Sequence, residues 1–154
     1  MRRILAGLLA AMLGVGLGLS AAQPASANGA GNNCNDVSGT NVRVCLYNLN
    51  QYLMVGGYWQ RDYAAVGQNC VNLSNHAWHT GGSVNDATES LILTAGTIPA
   101  GTRFRVRFYN WVNCSSANGY VDFSLSGSGQ YFKAAGIAPY ENWIGSVQIF
   151  FEPR

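Results

Sequence analysis

The sequence predicts an all-β domain, a two-sheet sandwich built from two similar four-stranded units. The first observation is a near-repeat, because "RVCLYN" at 43–48 recurs as "RVRFYN" at 105–110 with four of six residues identical. A recurring segment is typical of a duplicated structural unit. The second is alternation of apolar and polar residues, the pattern of half-buried strands, and the third is that no stretch beyond residue 27 sustains helical periodicity. Two such units in one domain predict Greek-key connections between the sheets.

Residues 1–27 are predicted to be a signal peptide. Arg2 and Arg3 precede an uncharged apolar run from Ile4 to Leu19, and "ASA" at 25–27 is a small-residue cleavage site. The run is shorter than the roughly 20 residues of a membrane-spanning helix, which favours cleavage over a membrane anchor. We therefore expect a secreted, extracellular protein with a flexible N-terminus at 28–33 and a single domain at 34–154.

The charge balance excludes two classes of partner. The chain has nine basic and seven acidic residues, and two of the basic residues lie in the predicted leader. Binding to nucleic acid or to an anionic membrane depends on an excess of Lys and Arg, which the remaining chain does not have. We expect neither partner after the leader is removed.

The four cysteines all follow the leader. An even number in an exported chain predicts two disulfides, with three pairings open to them. Spacing favours Cys34 with Cys45, which leaves Cys70 with Cys114. A metal site is the disfavoured alternative, because no C-x-x-C pair occurs.

The alternation assigns the strand faces. In the first unit Val42, Val44 and Leu46 are predicted to face the core, with Arg43, Cys45 and Tyr47 opposite. In the second unit the core positions are Phe104, Val106 and Phe108, and the opposite face carries Arg103, Arg105, Arg107 and Tyr109. We interpret the three arginines as a solvated outer face, in preference to a site for an anionic polymer. The other predicted strands are Leu53–Trp59, Val71–Leu73, Ser90–Thr94, Tyr120–Leu125, Tyr131–Ala134 and Ser146–Phe151.

Short motifs recur in the same order in both units. Each unit opens with a strand that ends in Tyr-Asn, and "NDATES" at 85–90 and "ENWIGS" at 141–146 each precede a closing strand. This arrangement resembles a two-motif βγ-crystallin domain, with motif one at about 42–94 and motif two at about 103–151. With "VCLYN", "NCVNL" and "YNWVNC" around the cysteines, the chain resembles bacterial exported proteins similar to the Streptomyces metalloproteinase inhibitor, a peptidase-inhibitor family.

One feature departs from that family. Its motif has a glycine seven residues after the tyrosine, where this chain has Met54 and Ser116. Glycines follow nearby at Gly56, Gly57 and Gly119. We expect the tight turns to be displaced by a few residues or to be built differently.

The resemblance also implies calcium sites, because the family draws oxygen ligands from the acidic or amide pair and from a hydroxyl at the fifth motif position. Here the fifth positions are Glu89 and Gly145, so the first site keeps a carboxylate and the second loses a ligand. The favoured alternative is that Asp86, Asn142, Ser90 and Ser146 cap turns and hold the loops between strands. The candidate calcium ligands are Asn85, Asp86 and Glu89 in the first site and Glu141, Asn142 and Ser146 in the second.

The sequence does not predict an enzyme or a required cofactor. It contains no nucleophile elbow, metalloprotease helix or phosphate-binding glycine loop. His76 and His79 have no third ligand at matching spacing, and we interpret them as loop residues beside Trp78. A glycosidase pair of carboxylates is the disfavoured alternative, with candidates Asp62, Asp86, Glu89, Asp122 and Glu141.

The predicted function is that of a secreted binding protein, a peptidase (metalloproteinase) inhibitor acting through a rigid surface loop. The sequence does not identify the target-binding residues; the candidate loops are Gln60–Asn69, His76–Ser83 and Ser115–Gly119. The alternative is a calcium-binding or structural βγ-crystallin module that binds cell-surface glycans through Trp59, Trp78, Trp111 and Trp143.

Overall fold

Eight strands form the domain in a computed structural model that describes residues 34–39, 41–64 and 70–154. The predicted signal peptide and the segment at 28–33 lie outside the described residues. Five 3₁₀ helices of three residues each lie in the connections, and no helix in the described part of the chain reaches the length of a bilayer span. The strands are β1 Asn41–Tyr47, β2 Tyr58–Ala64, β3 Val71–Asn72, β4 Ser90–Ala95, β5 Thr102–Tyr109, β6 Tyr120–Leu125, β7 Gln130–Ala134 and β8 Ser146–Pro153.

The strands form two antiparallel four-stranded sheets that exchange one strand each. The first sheet has the order β2-β1-β4-β7 and the second has the order β3-β8-β5-β6. Each unit thus keeps three strands in its own sheet and gives its third strand to the other. The order is unchanged when β1–β4 are interchanged with β5–β8, which is a pseudo-twofold relation. The predicted two-motif Greek-key, βγ-crystallin-like sandwich is confirmed.

The pseudo-twofold relation extends to individual hydrogen bonds. Tyr47 and Tyr109 end the two opening strands, and both are buried. The Tyr47 carbonyl oxygen accepts a hydrogen bond from the Glu89 amide at 2.9 Å, and the Tyr109 carbonyl oxygen accepts one from the Gly145 amide at 2.8 Å. The repeated hexapeptides therefore open two equivalent motifs.

The core lies between the sheets, where the alternation placed it. Val42, Val44 and Leu46 are fully buried, as are Phe104, Val106 and Phe108 on the second sheet. Burying one such side chain is worth roughly 1.5–3 kcal/mol. The inward-facing positions of both opening strands are confirmed.

The outer face of the first sheet is also covered. Cys45 and Tyr47 are buried there in a second apolar cluster with Cys34, Tyr58 and Ile92. Arg43 is 7% exposed, and its Nε donates to Asp62. The Cys34–Cys45 disulfide and a hydrogen bond from the Thr94 hydroxyl to the Cys34 carbonyl hold the N-terminal segment against this face.

The second disulfide is Cys70–Cys114. The structure therefore has two disulfides in the pairing that spacing favours, and the described residues include no free cysteine. This bridge joins a residue next to β3 of the first motif to a turn of the second motif.

One predicted strand is wrong in its position. The run Leu53–Trp59 was expected to be extended, but residues 54–56 form a 3₁₀ helix and β2 begins only at Tyr58. The apolar run Leu53, Met54 and Val55 resembles a strand in sequence, yet it is exposed. The remaining strands agree with prediction to within one or two residues.

The tight turns lie three residues later than the family pattern has them. Gly57 and Gly119 have φ angles of 114° and 95°, which favour glycine. Their amides donate to the carbonyls of Met54 at 3.0 Å and of Ser116 at 3.1 Å. A Cβ atom at Gly57 would also lie 2.8 Å from the Trp78 Cβ. The displaced-turn expectation is therefore the correct one.

Candidate functional site at the loop end

The C-terminal ends of β1 and β5 and the starts of β2, β4, β6 and β8 meet at one end of the sandwich. We call this region the loop end. It is formed by the segments 48–57, 83–89, 110–119 and 135–145, which include both motifs that the resemblance associates with function.

The segments 48–57 and 110–119 have the same backbone path. Gln51 and Tyr52 have φ angles of 58° and 61°, and the equivalent residues Asn113 and Cys114 have 60° and 52°. Non-glycine residues rarely adopt such angles, so the surrounding structure must hold them there.

A buried serine fastens the first of these loops. The Ser90 Oγ donates to the Leu49 carbonyl oxygen at 2.6 Å and accepts a hydrogen bond from the Tyr52 amide at 3.2 Å. The side chain therefore bridges the two limbs of the turn that opens the loop.

Ser146 fastens the second loop in the same way. Its Oγ donates to the Trp111 carbonyl oxygen at 2.5 Å and accepts from the Cys114 amide at 3.0 Å. Both hydroxyls are used within turns, which supports the turn-capping interpretation for the last position of each motif.

The acidic and amide pairs of the two motifs lie side by side on the pseudo-twofold. The Asp86 amide donates to the Ile144 carbonyl oxygen at 3.0 Å, and the Asn142 amide donates to the Thr88 carbonyl oxygen at 2.9 Å. These symmetric bonds join the two motifs directly.

A cleft of about 210 Å³ opens beside this junction. The Asn85 Nδ2 donates to the Asp86 Oδ2 at 2.6 Å, while the Asn85 Oδ1 is buried and no described group donates to it. A buried oxygen without a donor, next to a carboxylate, favours a cation over an anion. The cleft is lined by Asn85, Asp86, Asn110, Trp111, Val112 and Gly145.

The candidate calcium ligands are unequally placed. Asn85 and Asp86 lie together at the cleft, whereas Glu89, Glu141, Asn142 and Ser146 do not line it. Within the described residues, no three side chains of His, Cys, Asp or Glu come together as a metal-binding group. A cation here would therefore need amide and backbone oxygens in addition to the Asp86 carboxylate.

Gly145 has a physical reason to replace the hydroxyl residue of the family motif. A Cβ atom there would lie 3.1 Å from the Trp111 carbonyl carbon and 3.3 Å from its Cα and nitrogen. A side chain at this position would crowd the Trp111 backbone, which favours glycine here in place of a residue with a hydroxyl ligand.

Sequence reasoning missed a run of three consecutive exposed apolar residues at the loop end. Leu53, Met54 and Val55 are 50%, 39% and 82% exposed, and we call them the apolar tip. The equivalent positions in the second loop are Ser115, Ser116 and Ala117. An alignment of the two copies on their Tyr-Asn pairs would have shown the contrast.

The loop end is acidic. Its four segments contain Asp86, Glu89 and Glu141 but no lysine or arginine. The field at this end therefore favours cationic partners.

The contacts of the two histidines are packing contacts and do not support a shared metal site. The His79 Nδ1 accepts a hydrogen bond from the Tyr58 amide at 2.9 Å. The His76 ring meets the Trp59 ring edge-to-face, with centroids 5.3 Å apart, and burial lowers the His76 pKa. Each ring thus has its own aromatic neighbour.

The tryptophans divide into buried and exposed. Trp59 and Trp78 are 5% and 4% exposed, and Trp143 packs against the core. Trp111 is 56% exposed at the loop end. Glycan binding through all four rings is therefore not supported by their positions.

The arginines of β5 form an ion-pair network on the outer face of the second sheet. The Arg103 Nη2 lies 2.9 Å from the Glu152 Oε2, and the Arg107 Nη2 lies 2.7 Å from the Asp122 Oδ2. Arg105 pairs with both carboxylates. The Arg105 hydrogen bond holds the pKa of Glu152 at about 2.

Aromatic rings support the same guanidinium groups. The Arg105 Cζ lies 4.0 Å from the Phe150 ring centroid, and the Arg107 Cζ lies 3.7 Å from that of Tyr120. This agrees with an outer face on which arginine stems cover aromatic neighbours.

The carboxylates do not assemble as a glycosidase pair at the cleft. Asp62 is paired with Arg43 on the first sheet, and Asp122 is paired with arginines on the second. The cleft contains one carboxylate, that of Asp86, whereas glycoside hydrolysis requires two.

Comparisons with known proteins add a structural likeness. No family model matches the chain, and no curated protein matches it. Among solved structures it is similar to the N-terminal domain of protein S, with 12% identity and a TM-score of 0.40. That similarity covers 73% of this chain and 99% of the other.

Proposed function

We propose that the protein is a secreted binding protein that inhibits an extracellular peptidase by presenting a rigid loop. The observation that carries the proposal is the loop 48–57, whose apolar tip is exposed while its base is fixed by Ser90. A loop already held in one conformation loses little entropy when it docks. A standard interface of roughly 1,600 Å² can then be tight.

The position of this loop differs from the three expected from sequence. Gln60–Ala64 is part of β2, so that half of the candidate Gln60–Asn69 is wrong, and 65–69 lie outside the described residues. His76–Ser83 is closed by a backbone bridge between Ala77 and Ser83. Ser115–Gly119 has the same turn as the apolar tip but offers polar side chains.

The test is inhibition by the purified chain from Asn28 onward. We expect stoichiometric slowing of at least one secreted metallopeptidase, measured with a fluorogenic peptide at several inhibitor concentrations. The same titration against secreted serine peptidases is the comparison. Undiminished rates across both panels would contradict peptidase inhibition.

Calcium binding at the cleft is the second candidate, favoured by the buried Asn85 Oδ1 beside the Asp86 carboxylate. A ligand that binds only the native state raises the melting temperature. We expect Ca²⁺ to raise it in the native sequence and less in Asp86→Asn, with Asp62→Asn as a control away from the loop end. Identical melts with Ca²⁺ and with chelator would argue against the site.

A further inference from the structure

We infer that the apolar tip is the anchor of the interface, and that its partner is a protein with an apolar pocket bordered by cationic groups. This inference rests on the proposed function and specifies its recognition chemistry. It follows from a comparison of the two loops, the fixed backbone of the first loop and the charge around it.

The fold does not require apolar residues at the tip. The second loop makes the same turn, with the Gly119 amide donating to the Ser116 carbonyl as the Gly57 amide donates to that of Met54. It does so with Ser-Ser-Ala at the positions of Leu53, Met54 and Val55. A single exposed apolar residue is ordinary on a protein surface. Three in succession are unusual, especially where the equivalent turn of the second loop has small and mostly polar residues. We therefore take the apolar tip to be a contact surface for a partner.

The backbone that carries the tip is held from several directions. The Gln51 amide donates to the Ala135 carbonyl oxygen at 2.7 Å, and the Asn48 Nδ2 donates to the Gly56 carbonyl oxygen at 3.1 Å. A Cβ at Gly56 would lie 2.4 Å from the Leu49 Cγ, so Leu49 packs directly under the tip. The backbone of the apolar tip is therefore held in one conformation before any partner binds.

The shape and charge of the loop end select the partner. Val55 is 82% exposed in the middle of the 3₁₀ turn at 54–56, so most of its surface is available to a concave pocket. The acids of the loop end, Asp86, Glu89 and Glu141, would be repelled by an anionic membrane and by a second loop end of the same charge. A protein pocket that is apolar inside and cationic at its rim would match both the exposed apolar side chains of the tip and the negative charge of the loop end.

The test replaces the apolar tip with the residues at the equivalent positions of the second loop. The variant carries Leu53→Ser, Met54→Ser and Val55→Ala together. The backbone should be retained, because the second loop folds with those residues. The probe is a secreted zinc endopeptidase whose specificity pocket accepts Leu and Val and is bordered by basic residues, with binding measured by surface plasmon resonance alongside inhibition. We expect the dissociation constant to rise by about 100-fold or more, as loss of a buried anchor does.

The matched control is Tyr131→Ser, which removes another exposed apolar side chain, on β7 and outside the loop end. We expect it to leave binding within about twofold. A circular dichroism melt of each variant separates loss of folding from loss of contact.

The cationic rim is tested by Glu141→Gln. We expect slower association at low salt, with the difference between variant and native protein disappearing as salt rises. Faster association of the variant would show an anionic rim and overturn this part of the inference.

The outcomes separate the inference from the proposed function. Inhibition that is unchanged in the tip variant would overturn the inference and leave peptidase inhibition standing. Tip-dependent binding without inhibition would support the inference and contradict inhibition. Binding to no peptidase would overturn both. Tip-dependent sedimentation with anionic phospholipid vesicles, or a tip-dependent dimer, would show another occupant and overturn the inference.

Discussion

Ser90 and Ser146 show how a single hydroxyl can set a loop of ten residues. Each is fully buried, donates to a carbonyl oxygen and accepts from an amide three residues further along the loop. The sequence predicted their turn-capping role from the recurring motif. It could not predict that the turns would contain consecutive residues with positive φ, such as Gln51 and Tyr52, because no local residue type demands that conformation.

The first prediction concerns this hydroxyl. Ser90→Ala leaves the Tyr52 amide and the Leu49 carbonyl without their partner, so we expect a loss of about 1–3 kcal/mol in the free energy of unfolding. Ser146→Ala should lose a similar amount, because its contacts are equivalent. Urea denaturation measures both. Ser74→Ala, at an exposed position, is the control and should change stability by less than about 0.5 kcal/mol. Equal stability of Ser90→Ala and Ser74→Ala would contradict the role assigned here.

Among the elements, the inward faces of β1 and β5 were predicted correctly, whereas the position of β2 was predicted worst. Alternation fixed the inward face of β1 and β5, since residues two apart on a strand share a face. The error at β2 arose because Leu53, Met54 and Val55 have strand-like side chains, while their turn depends on Gly57 and on contacts distant in sequence. The same residues form the apolar tip of the candidate site. The strand-like sequence of this run therefore led to two errors: the start of β2 was placed too early, and the exposed tip was not recognised.

The ion pairs of β5 also depend on more than its own sequence. Asp122 on β6 and Glu152 on β8 reach the arginines only because β5 lies between those two strands, with Arg107 opposite Asp122 and Arg103 opposite Glu152. The sequence could place the arginines on one face but could not supply this register.

The second prediction follows from the Glu152 pKa. Its value in the folded protein is about 2, below the ordinary 4.5, because the Arg105 guanidinium hydrogen-bonds the carboxylate. A carboxyl with a lowered folded pKa contributes stability that is present above the unfolded pKa and is lost as the pH falls towards the folded one.

Thermal melts should therefore give the native protein a higher melting temperature than Glu152→Gln at pH 6, with the difference in melting temperature shrinking from about pH 4.5 to pH 2. High salt should reduce it, since the pair is partly exposed. A difference independent of pH would contradict the ion pair as its source.

At the scale of the whole molecule, the fold depends on exchange between the motifs. β3 lies in the sheet of the second motif and β7 in the sheet of the first, and the Asp86–Ile144 and Asn142–Thr88 hydrogen bonds join the halves at the loop end. Alternation and repetition predicted two sheets and two units. The sequence did not predict which strands are exchanged, because β3 is only two residues long and has too little pattern of its own.

The third prediction tests this exchange with the separated motifs. A fragment of residues 34–101 would lack β7 and the β8 partner of β3, and it would expose Val42, Val44 and Leu46, which the second sheet covers. We expect it, and the fragment 102–154, to show no cooperative thermal transition, because each loses half of a shared core.

Heteronuclear NMR should give poorly dispersed spectra for each fragment alone. Mixing them with the cysteines oxidised should recover dispersion, since strand exchange and the Cys70–Cys114 bridge both act between the halves. A fragment of 34–101 that melts cooperatively by itself would show that the motifs are independent units and that the exchanged strands are dispensable to the fold.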